Sequence, residues 1–460
     1  MSTRFRVPHT LALLFILMAL ALVATWIVPQ GAFDTEVTDA GQEVVLPGTF
    51  EVAEEREVMG PWELLTAIPR AFADSQDIIF FLFIIGGVMA VIRATGAIDA
   101  ALGKLLGVFG QRPGWLIFVV VMVFALTSSV MGASAEYVPF VLILAALCRA
   151  MRMDTMTAVG IIVVGYGVGY GVAAFNPYTV VVAQGIAEVP LFSGWEVRMG
   201  LLVPFALIGA HHVWRYSEGV REDPSRSLVA DVEPPELGEA ADEYPTVTVR
   251  HVLILLGFVS ALAWAVYGIA RWDWYLTEMG AVFVALGLVA AAVGGLGTSD
   301  TARKFVTGAR EIVETALLVG VARGIALVME DGEILHTIVH ALSVPLGMVG
   351  AELAAVGMMV TQAIINLFVP SGSGQAFVTM PLMAPLSDLL EVPRQIAVLA
   401  FQFGDGFANM IIPTNAVLMG ILGMAAIPYD RWFRFCLPLV LKLLVAAAVV
   451  MIGAVVFGFS

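Results

Sequence analysis

The chain has 460 residues, 60% of them hydrophobic and 13% charged, with a mean hydropathy of +0.92 and a formal net charge of −15. Apolar runs of about 17 to 25 residues recur and match the thickness of a hydrocarbon core, which predicts an all-α polytopic membrane protein. The runs are continuous rather than alternating, which excludes a membrane barrel, and the acidic balance argues against nucleic acid as a partner.

The first run, Leu11 to Val28, follows Arg4 and Arg6, and its length marks it as a retained first helix rather than a signal peptide. Lysine and arginine near span ends set orientation. With Arg4 and Arg6 in the cytoplasm, Lys104, Arg112, Arg149, Arg215, Arg303 and Arg431 fall on the same side, while Arg70, Arg198 and Arg271 fall outside. The N-terminus is therefore expected in the cytoplasm of a multi-pass protein of the cytoplasmic (inner) membrane. Cys148 and Cys436 both lie toward that reducing side, where packing rather than a disulfide is their expected role.

This partition predicts a path. A helix at about 9–28 exits, an acidic external segment follows, and 78–95 returns. The run 114–150 then enters and leaves on one side as a re-entrant hairpin. A broken helix at 156–190 crosses outward with an interruption at Asn176 and Pro177, and 197–215 comes back. These elements make a first unit, residues 1–215, followed by an acidic cytoplasmic linker, 216–248, and an extra linking helix, 249–271. In the second unit, 272–460, spans 275–296 and 312–329 precede a hairpin open to the outside at 347–391. A second broken helix at 394–426, interrupted at Pro413, and a last span at 432–459 complete it. The two units match in order and face opposite ways.

The residues carry the same repeat. Gly132 to Pro139 (GASAEYVP) aligns with Gly374 to Pro381 (GQAFVTMP), and Gly169 to Thr179 with Gly404 to Asn415, at offsets of about 236 to 242. The amphipathic stretches 62–76 and 300–312 correspond as well and are expected to lie along the membrane surface. Inverted repeats with a discontinuous helix in each are the signature of secondary transporters.

A helix break at membrane depth survives only where it is buried in protein or lines a wet cavity. Each break offers free N–H groups for anions and free carbonyls for cations, so the breaks are expected to converge on a substrate site. The tips are read at Ser128, Ser129 and Gly132 in the first hairpin and at Gly372 and Gly374 in the second. Two acids, Glu136 past the first tip and Asp405 before the second break, need a cation, a proton or a basic partner at that depth. Lys442 and Arg323 are the residues that could neutralise them internally. Ser134, Asn176 and Thr179 join Glu136 as expected substrate-binding residues of the first unit. In the second, Ser371, Ser373, Gln375, Asn409, Thr414 and Asn415 join Asp405. A coupling Na⁺ is expected near Ser129, Asn176, Ser373, Asp405 and Thr414, with H⁺ as the other candidate; no other cofactor is implied.

Other motifs read as decoys. Val163 to Gly167 (VVGYG) looks like a potassium filter, yet Gly165 and Gly169 sit at the spacing of close helix packing. The serines around Ser373 have no base at hand for intramembrane hydrolysis, so an enzyme is not expected. His336 and His340 stand at metal spacing without an intervening glutamate base and read as a surface pair. A channel is the remote alternative to a carrier.

The stretches VPSGSGQAFVTMPLMAPLSDLL, LAFQFGDGFANMIIPTNAVLMGILG, SSVMGASAEYVPF and AAFNPYTVVVAQGIA, with FRVPHT at the start, resemble the YfcC-type proteins of the DcuC family of anaerobic C4-dicarboxylate carriers, over essentially the whole chain. The resemblance implies an ion-transporter-superfamily fold, a scaffold domain plus an elevator transport domain, in a homodimer embedded in lipid. It also implies a small-molecule substrate. Members of the YfcC type are described as basic amino acid antiporters, whereas the wider family name implies dicarboxylates. Related carriers place Ser-Asn-Thr motifs where this chain has Ser-Gly-Ser-Gly, Phe-Asn-Pro-Tyr-Thr and Ile-Pro-Thr-Asn. A cradle with Glu136 and Asp405 and no basic residue in either tip favours arginine or ornithine exchange. Na⁺- or H⁺-coupled uptake of a C4-dicarboxylate or other carboxylate is the alternative.

Overall fold

The computed structural model describes residues 10–37, 43–46, 48–53, 58–101, 104, 112–176, 178–233, 235, 245–272, 274 and 276–459. The expectations placed on Arg4, Arg6, Pro177 and residues 234 and 236–244 of the acidic linker lie outside these residues.

Among the described residues, five helices are long and apolar enough to cross a membrane: Gln76–Ala94, Pro113–Met131, Trp195–Glu222, Leu276–Gly294 and Tyr429–Val456. The chain begins with α1 (Thr10–Ile27). The polar segment after it forms two small antiparallel pairs, β1 (Gly31–Ala32) with β4 (Glu51–Val52) and β2 (Thr35–Val37) with β3 (Glu43–Val45). They correct the all-helical expectation, because valine and threonine mixed with charged residues suit a half-exposed strand.

Next come α2 (Pro61–Asp74) and α3 (Gln76–Ala94), which correspond to α11 (Thr298–Glu311) and α12 (Val313–Asp331). Proline at the first position of α2 and the Glu63 carboxylate, which accepts the Gly60 N–H at 2.8 Å, start that helix. Each amphipathic helix packs on a helix of the other unit: α2 on α12, and α11 on α3. The second crossing leaves no room for side chains, since a Cβ on Gly308 would stand 2.2 Å from Gly86 O. Between the units run α9 (Val249–Trp272), with valine, leucine and tryptophan exposed along it, and α10 (Leu276–Gly294).

The remaining helices carry the interruptions. In the first unit, α4 (Pro113–Met131) and α5 (Phe140–Ala150) flank one tip; α6 (Thr155–Gly171) and α7 (Val180–Ile186) flank a break, and α8 (Trp195–Glu222) follows. In the second, α13 (Leu335–Ser343) precedes α14 (Ala351–Asn366) and α15 (Gly372–Leu389), which flank the other tip. There α16 (Arg394–Ala408) and α17 (Ala416–Met424) flank a break, and α18 (Tyr429–Val456) ends the chain. Helix α4 packs on α6 as α14 packs on α16. Gly165 and Gly169 let α6 lie against Phe124 and Ala125 of α4, so VVGYG serves close packing.

Backbone turns recur at matching places. Left-handed residues stand at Gly96 and Glu333, at Arg152 and Glu391, and at Glu188 and Ala426. Such a conformation is uncommon for residues other than glycine, and the three pairs stand at nearly constant spacing.

Two further boundaries differ from the sequence reading. Helix α8 runs on to Glu222 rather than ending at 215, because nothing stops it before Asp223-Pro224. Hydrogen bonds from the Ser225 hydroxyl and N–H hold the Asp223 carboxyl below its ordinary range as it caps the short turn Pro224–Arg226. The start of the linker is docked: Ser227 donates to Asp154 Oδ2 at 2.7 Å and Arg431 pairs with Asp231 at 3.0 Å. Helix α13 was not anticipated, and it brings the histidine pair to the β segment. His336 Nδ1 accepts the Phe33 N–H at 3.2 Å and His340 stacks on Phe50 at 4.2 Å, which is packing rather than metal binding.

Candidate functional site: two tips and two breaks

At the first tip, Gly132 adopts φ +73° and ends α4. A side chain there would strike Asn176 Oδ1 and the Tyr178 ring. Ser128 and Ser129 do not form the tip, as expected, but lie in the last turn of α4, where their hydroxyls serve backbone. Ser128 donates to Ala133 O at 2.7 Å, and Ser129 donates to Val172 O at 3.0 Å while accepting the Ala174 N–H. Tyr170 ties the break to the tip by donating to Gly132 O at 2.6 Å. Glu136 sits in the short turn Ala135–Tyr137, and its Oε2 accepts the N–H of Ser134 at 2.6 Å. No basic side chain among the described residues pairs with it. Asn176 is fully buried; Oδ1 accepts the Tyr178 N–H at 2.9 Å, and its amide nitrogen has no partner among the described residues. Tyr178 beside the first tip is 37% exposed.

At the second tip the chain leaves α14 after Asn366 and re-enters helix at Gly372, with Ser371 Oγ accepting the Gly374 N–H at 3.3 Å. Ser373 and Gly374 thus lie in the first turn of α15 rather than in the loop. Behind the tip runs a ladder of buried side chains. Asn366 donates to Asp405 Oδ1 at 2.7 Å and to Gln375 Oε1 at 2.9 Å. Gln375 donates to Gln362 Oε1 at 2.7 Å, and Gln362 to Thr379 Oγ1 at 2.9 Å. On the break side, Asn409 donates to Asp405 Oδ1 at 3.2 Å and accepts from Asn415 at 2.6 Å. Asn415 Oδ1 also caps α17 by accepting the Leu418 N–H, and Thr414 donates to Leu367 O at 2.9 Å.

The four irregular segments meet. A Cβ on Gly372 would stand 2.5 Å from Thr179 Cγ2, 3.5 Å from Tyr178 O and 3.7 Å from Asp405 Oδ2, so the second tip rests on the first break beside the acid. The two broken helices cross at Gly171 and Gly406, where a Cβ on Gly406 would be 2.1 Å from Gly171 N. Gln402 of α16 reaches the first break: with both ends of its amide satisfied, it accepts the Val180 N–H at 2.7 Å, accepts from Thr179 Oγ1 at 3.2 Å and donates to Tyr170 O at 2.8 Å.

Neither basic candidate neutralises the acids. Arg323 pairs with Asp74 and, at 2.9 Å, with Glu330, stitching α2 to α12, because its helix lies in the other bundle. Lys442 is exposed on α18, 3.5 Å from His212 Nδ1. Of the five residues named for Na⁺, Ser129 and Thr414 donate their hydroxyl hydrogens to backbone carbonyls.

Sequence reasoning passed over Gln362, Asn366, Thr379 and Gln402, all buried. Their signal was the presence of amides and a hydroxyl inside apolar runs, which hydrocarbon tolerates only when each finds a partner. It also missed Arg198, fully buried, which donates to Ser193 O at 2.7 Å and to Gln395 Oε1 at 3.3 Å and thereby joins the ends of α8 and α16.

Comparison with known proteins supplies the family. The sequence model for the C4-dicarboxylate anaerobic carriers, DcuC, matches residues 7–456. The chain is 33% identical to the Escherichia coli (strain K12) protein named "Putative basic amino acid antiporter YfcC", covering 100% of this chain and 98% of that one. It is 28% identical to an uncharacterized protein of Haemophilus influenzae, covering 97% of each. Among solved structures it is similar to the Alcanivorax borkumensis YdaH transporter, with TM-score 0.43, 14% identity and coverage of 98% and 99%. Neisseria gonorrhoeae MtrF, whose title describes a class of antimetabolite efflux pumps, gives TM-score 0.42, 17% identity and coverage of 97% and 95%. Both likenesses are too distant to transfer details. The family match and the full-length relative, together with the membrane-spanning helices, make the chain a membrane transporter rather than an enzyme: it belongs to the DcuC family of C4-dicarboxylate anaerobic carriers.

Proposed function

We propose that this transporter is a secondary active carrier that exchanges basic amino acids of the arginine and ornithine class across the cytoplasmic membrane. One observation carries the reading: Glu136 stands at the first tip and Asp405 just before the second break, both segments meet the first break or its helix, and neither acid has a basic partner among the described residues. Acids at membrane depth without a counter-charge call for a cation from outside the protein. A substrate ammonium or guanidinium supplies it at Glu136, beside the exposed Tyr178 and the buried donor of Asn176. The helix N-terminus at Gly372 would take the substrate carboxylate. The name carried by the Escherichia coli relative agrees with this charge logic.

The repeated left-handed turns and the crossed packing of α2 on α12 and α11 on α3 support an inverted-repeat scaffold. In our reading that scaffold carries α4–α8 with α14–α18 as a moving transport domain in an elevator cycle, within a homodimer whose N-terminus is cytoplasmic. The bracketing of the first tip by Arg112 and Arg149, and of the second by Glu333 and Arg394, supports re-entrant hairpins of opposite sense.

A second reading, uptake of a C4-dicarboxylate with a coupling cation, is favoured by the family description. Proteoliposomes separate the two. With arginine inside, labelled arginine should enter only in exchange, and Glu136→Gln should slow it about tenfold. Labelled succinate entering under an ion gradient, with arginine inert, would replace exchange by coupled carboxylate uptake; conductance without counter-substrate would make the protein a channel.

A further inference from the structure

From Phe435 to its end at Val456, α18 carries a single charged residue, Lys442, and that residue is exposed. An ammonium on the outer face of a membrane helix is costly unless it reaches water or a counter-charge. Lys442 reaches across to α8, where its Nζ stands 3.5 Å from His212 Nδ1. The other ring nitrogen of His212, Nε2, lies 3.0 Å from Phe435 O, which can only accept. Nε2 therefore carries the ring proton and Nδ1 offers a lone pair. The ammonium spends one hydrogen on that lone pair and keeps two, and no carboxylate among the described residues pairs with it.

The surroundings of this contact are basic. Exposed His211 adjoins His212, and exposed Arg215 follows one turn, about 6 Å, nearer the end of α8. On α18, Arg434 is exposed about 12 Å nearer the start of the helix than Lys442. Acids are missing: α8 has none between Glu196 and Glu218, and α18 has none after Asp430. Helices α4 and α6, which pack on α8, carry no charged residue. Asp154, ahead of α6, is given to Thr157, Tyr216 and Ser227, and Asp430 is shared by Arg431 and Arg434. Trp214, 5.5 Å from the His211 ring, adds the amphipathic aromatic that favours headgroup depth.

We propose that the groove between α8 and α18 binds an anionic phospholipid of the cytoplasmic leaflet, its phosphate accepting from Lys442 among the basic residues of both helices. The proposal rests on the orientation given above, which puts the end of α8 and the start of α18 at that leaflet, and it names a lipid partner there. Depth supports it. Side chains on a helix tilt toward its N-terminus, so Lys442 is directed from the apolar span toward the level of Arg434 and Arg215, where phosphates lie. The acyl chains then run along Leu441, Val445 and Val449, all exposed on the same helix. Charge selects the headgroup: a zwitterionic lipid brings a cation of its own into a groove that holds only cations, whereas an anionic one balances them.

The test uses the full-length chain in an uncharged detergent, without organic substrate, so that failure of arginine exchange leaves the result untouched. A micelle has no sides, so a reversed orientation cannot be mistaken for an empty groove. Unfolding temperature is followed against dioleoylphosphatidylglycerol, dioleoylphosphatidylcholine and inorganic phosphate in separate titrations. A ligand that binds only the folded chain raises Tm saturably. Phosphatidylglycerol should do so, and phosphatidylcholine with the same acyl chains should not. Lys442→Gln should weaken the phosphatidylglycerol midpoint about tenfold, and Lys442→Arg should keep it within about twofold of wild type. Lys304→Gln, on α11 where it packs on α3, should leave the midpoint unchanged. Equal responses to the two lipids, or a wild-type midpoint in Lys442→Gln, would overturn the proposal. So would inorganic phosphate acting as well as phosphatidylglycerol, or Lys304→Gln weakening the midpoint as much as Lys442→Gln.

Discussion

The two tips share a backbone plan and differ in what holds them. At the first, serine hydroxyls and Tyr170 bind backbone carbonyls, and the acid Glu136 accepts from a backbone N–H. At the second, side chains bind side chains: Thr379, Gln362, Gln375, Asn366, Asp405, Asn409 and Asn415 follow one another in a single chain of hydrogen bonds. Hydroxyl-to-carbonyl bonds do not depend on a charge. An amide ladder ending on a carboxylate does, since the acceptor strength of Asp405 sets the grip of Asn366 and Asn409. The comparison teaches that two irregular segments can be held in different ways, one by hydroxyls closing on backbone and one by a side-chain ladder that depends on a carboxylate.

Changes at the two tips should therefore have unequal consequences. The largest effect is expected at the second tip: Asp405→Asn should abolish arginine exchange in proteoliposomes while gel filtration still gives the wild-type profile. Wild-type flux in that variant would break the distinction between the halves. Next comes the crossing of the breaks. Gly406→Ala drives a Cβ into the backbone of Gly171 and should cost about 1–3 kcal/mol in denaturant unfolding. Gly171→Ala should cost less, because the Phe407 ring it meets can turn. At the first tip, Ser129→Ala should lower stability by about 1 kcal/mol and leave any Na⁺ or pH dependence of Tm unchanged. A shift in that dependence would make the first tip charge-dependent too and erase the contrast. The smallest effect sharpens the picture from outside: Gly185 is an exposed helical glycine with open space around its Cα, so Gly185→Ala should stabilise by about 0.4–1 kcal/mol.

Much of the architecture was legible because membrane depth punishes irregular backbone. A proline, small residues and an acid inside an apolar run had to mark a break, and the helices are interrupted at Asn176 and around Pro413, while Gly132 ends α4 and Gly372 and Gly374 fall in the first turn of α15. The repeat was legible for the same reason, as turn residues recur at fixed spacing. The ladder was harder to read. Gln362 and Asn366 look like isolated polar residues in an apolar run, and only the packing of α15 and α16 beside α14 gives them partners. The serines misled in the other direction: beside the glycine of a tip they read as ligands, yet the turn they occupy uses their hydroxyls to close itself. Arg323 was ambiguous in one dimension, since its partners are separated from it by very different distances along the chain, Glu330 by one face of α12 and Asp74 by most of the fold.

The glycine pair at the crossing has a mechanical corollary. With no side chain between Gly171 and Gly406, the two discontinuous helices touch backbone to backbone at their midpoints and have nothing compressible to absorb relative motion. Whatever displaces one must carry the other in step. The segments on either side of the crossing are then held in register by stiffness rather than by side-chain packing.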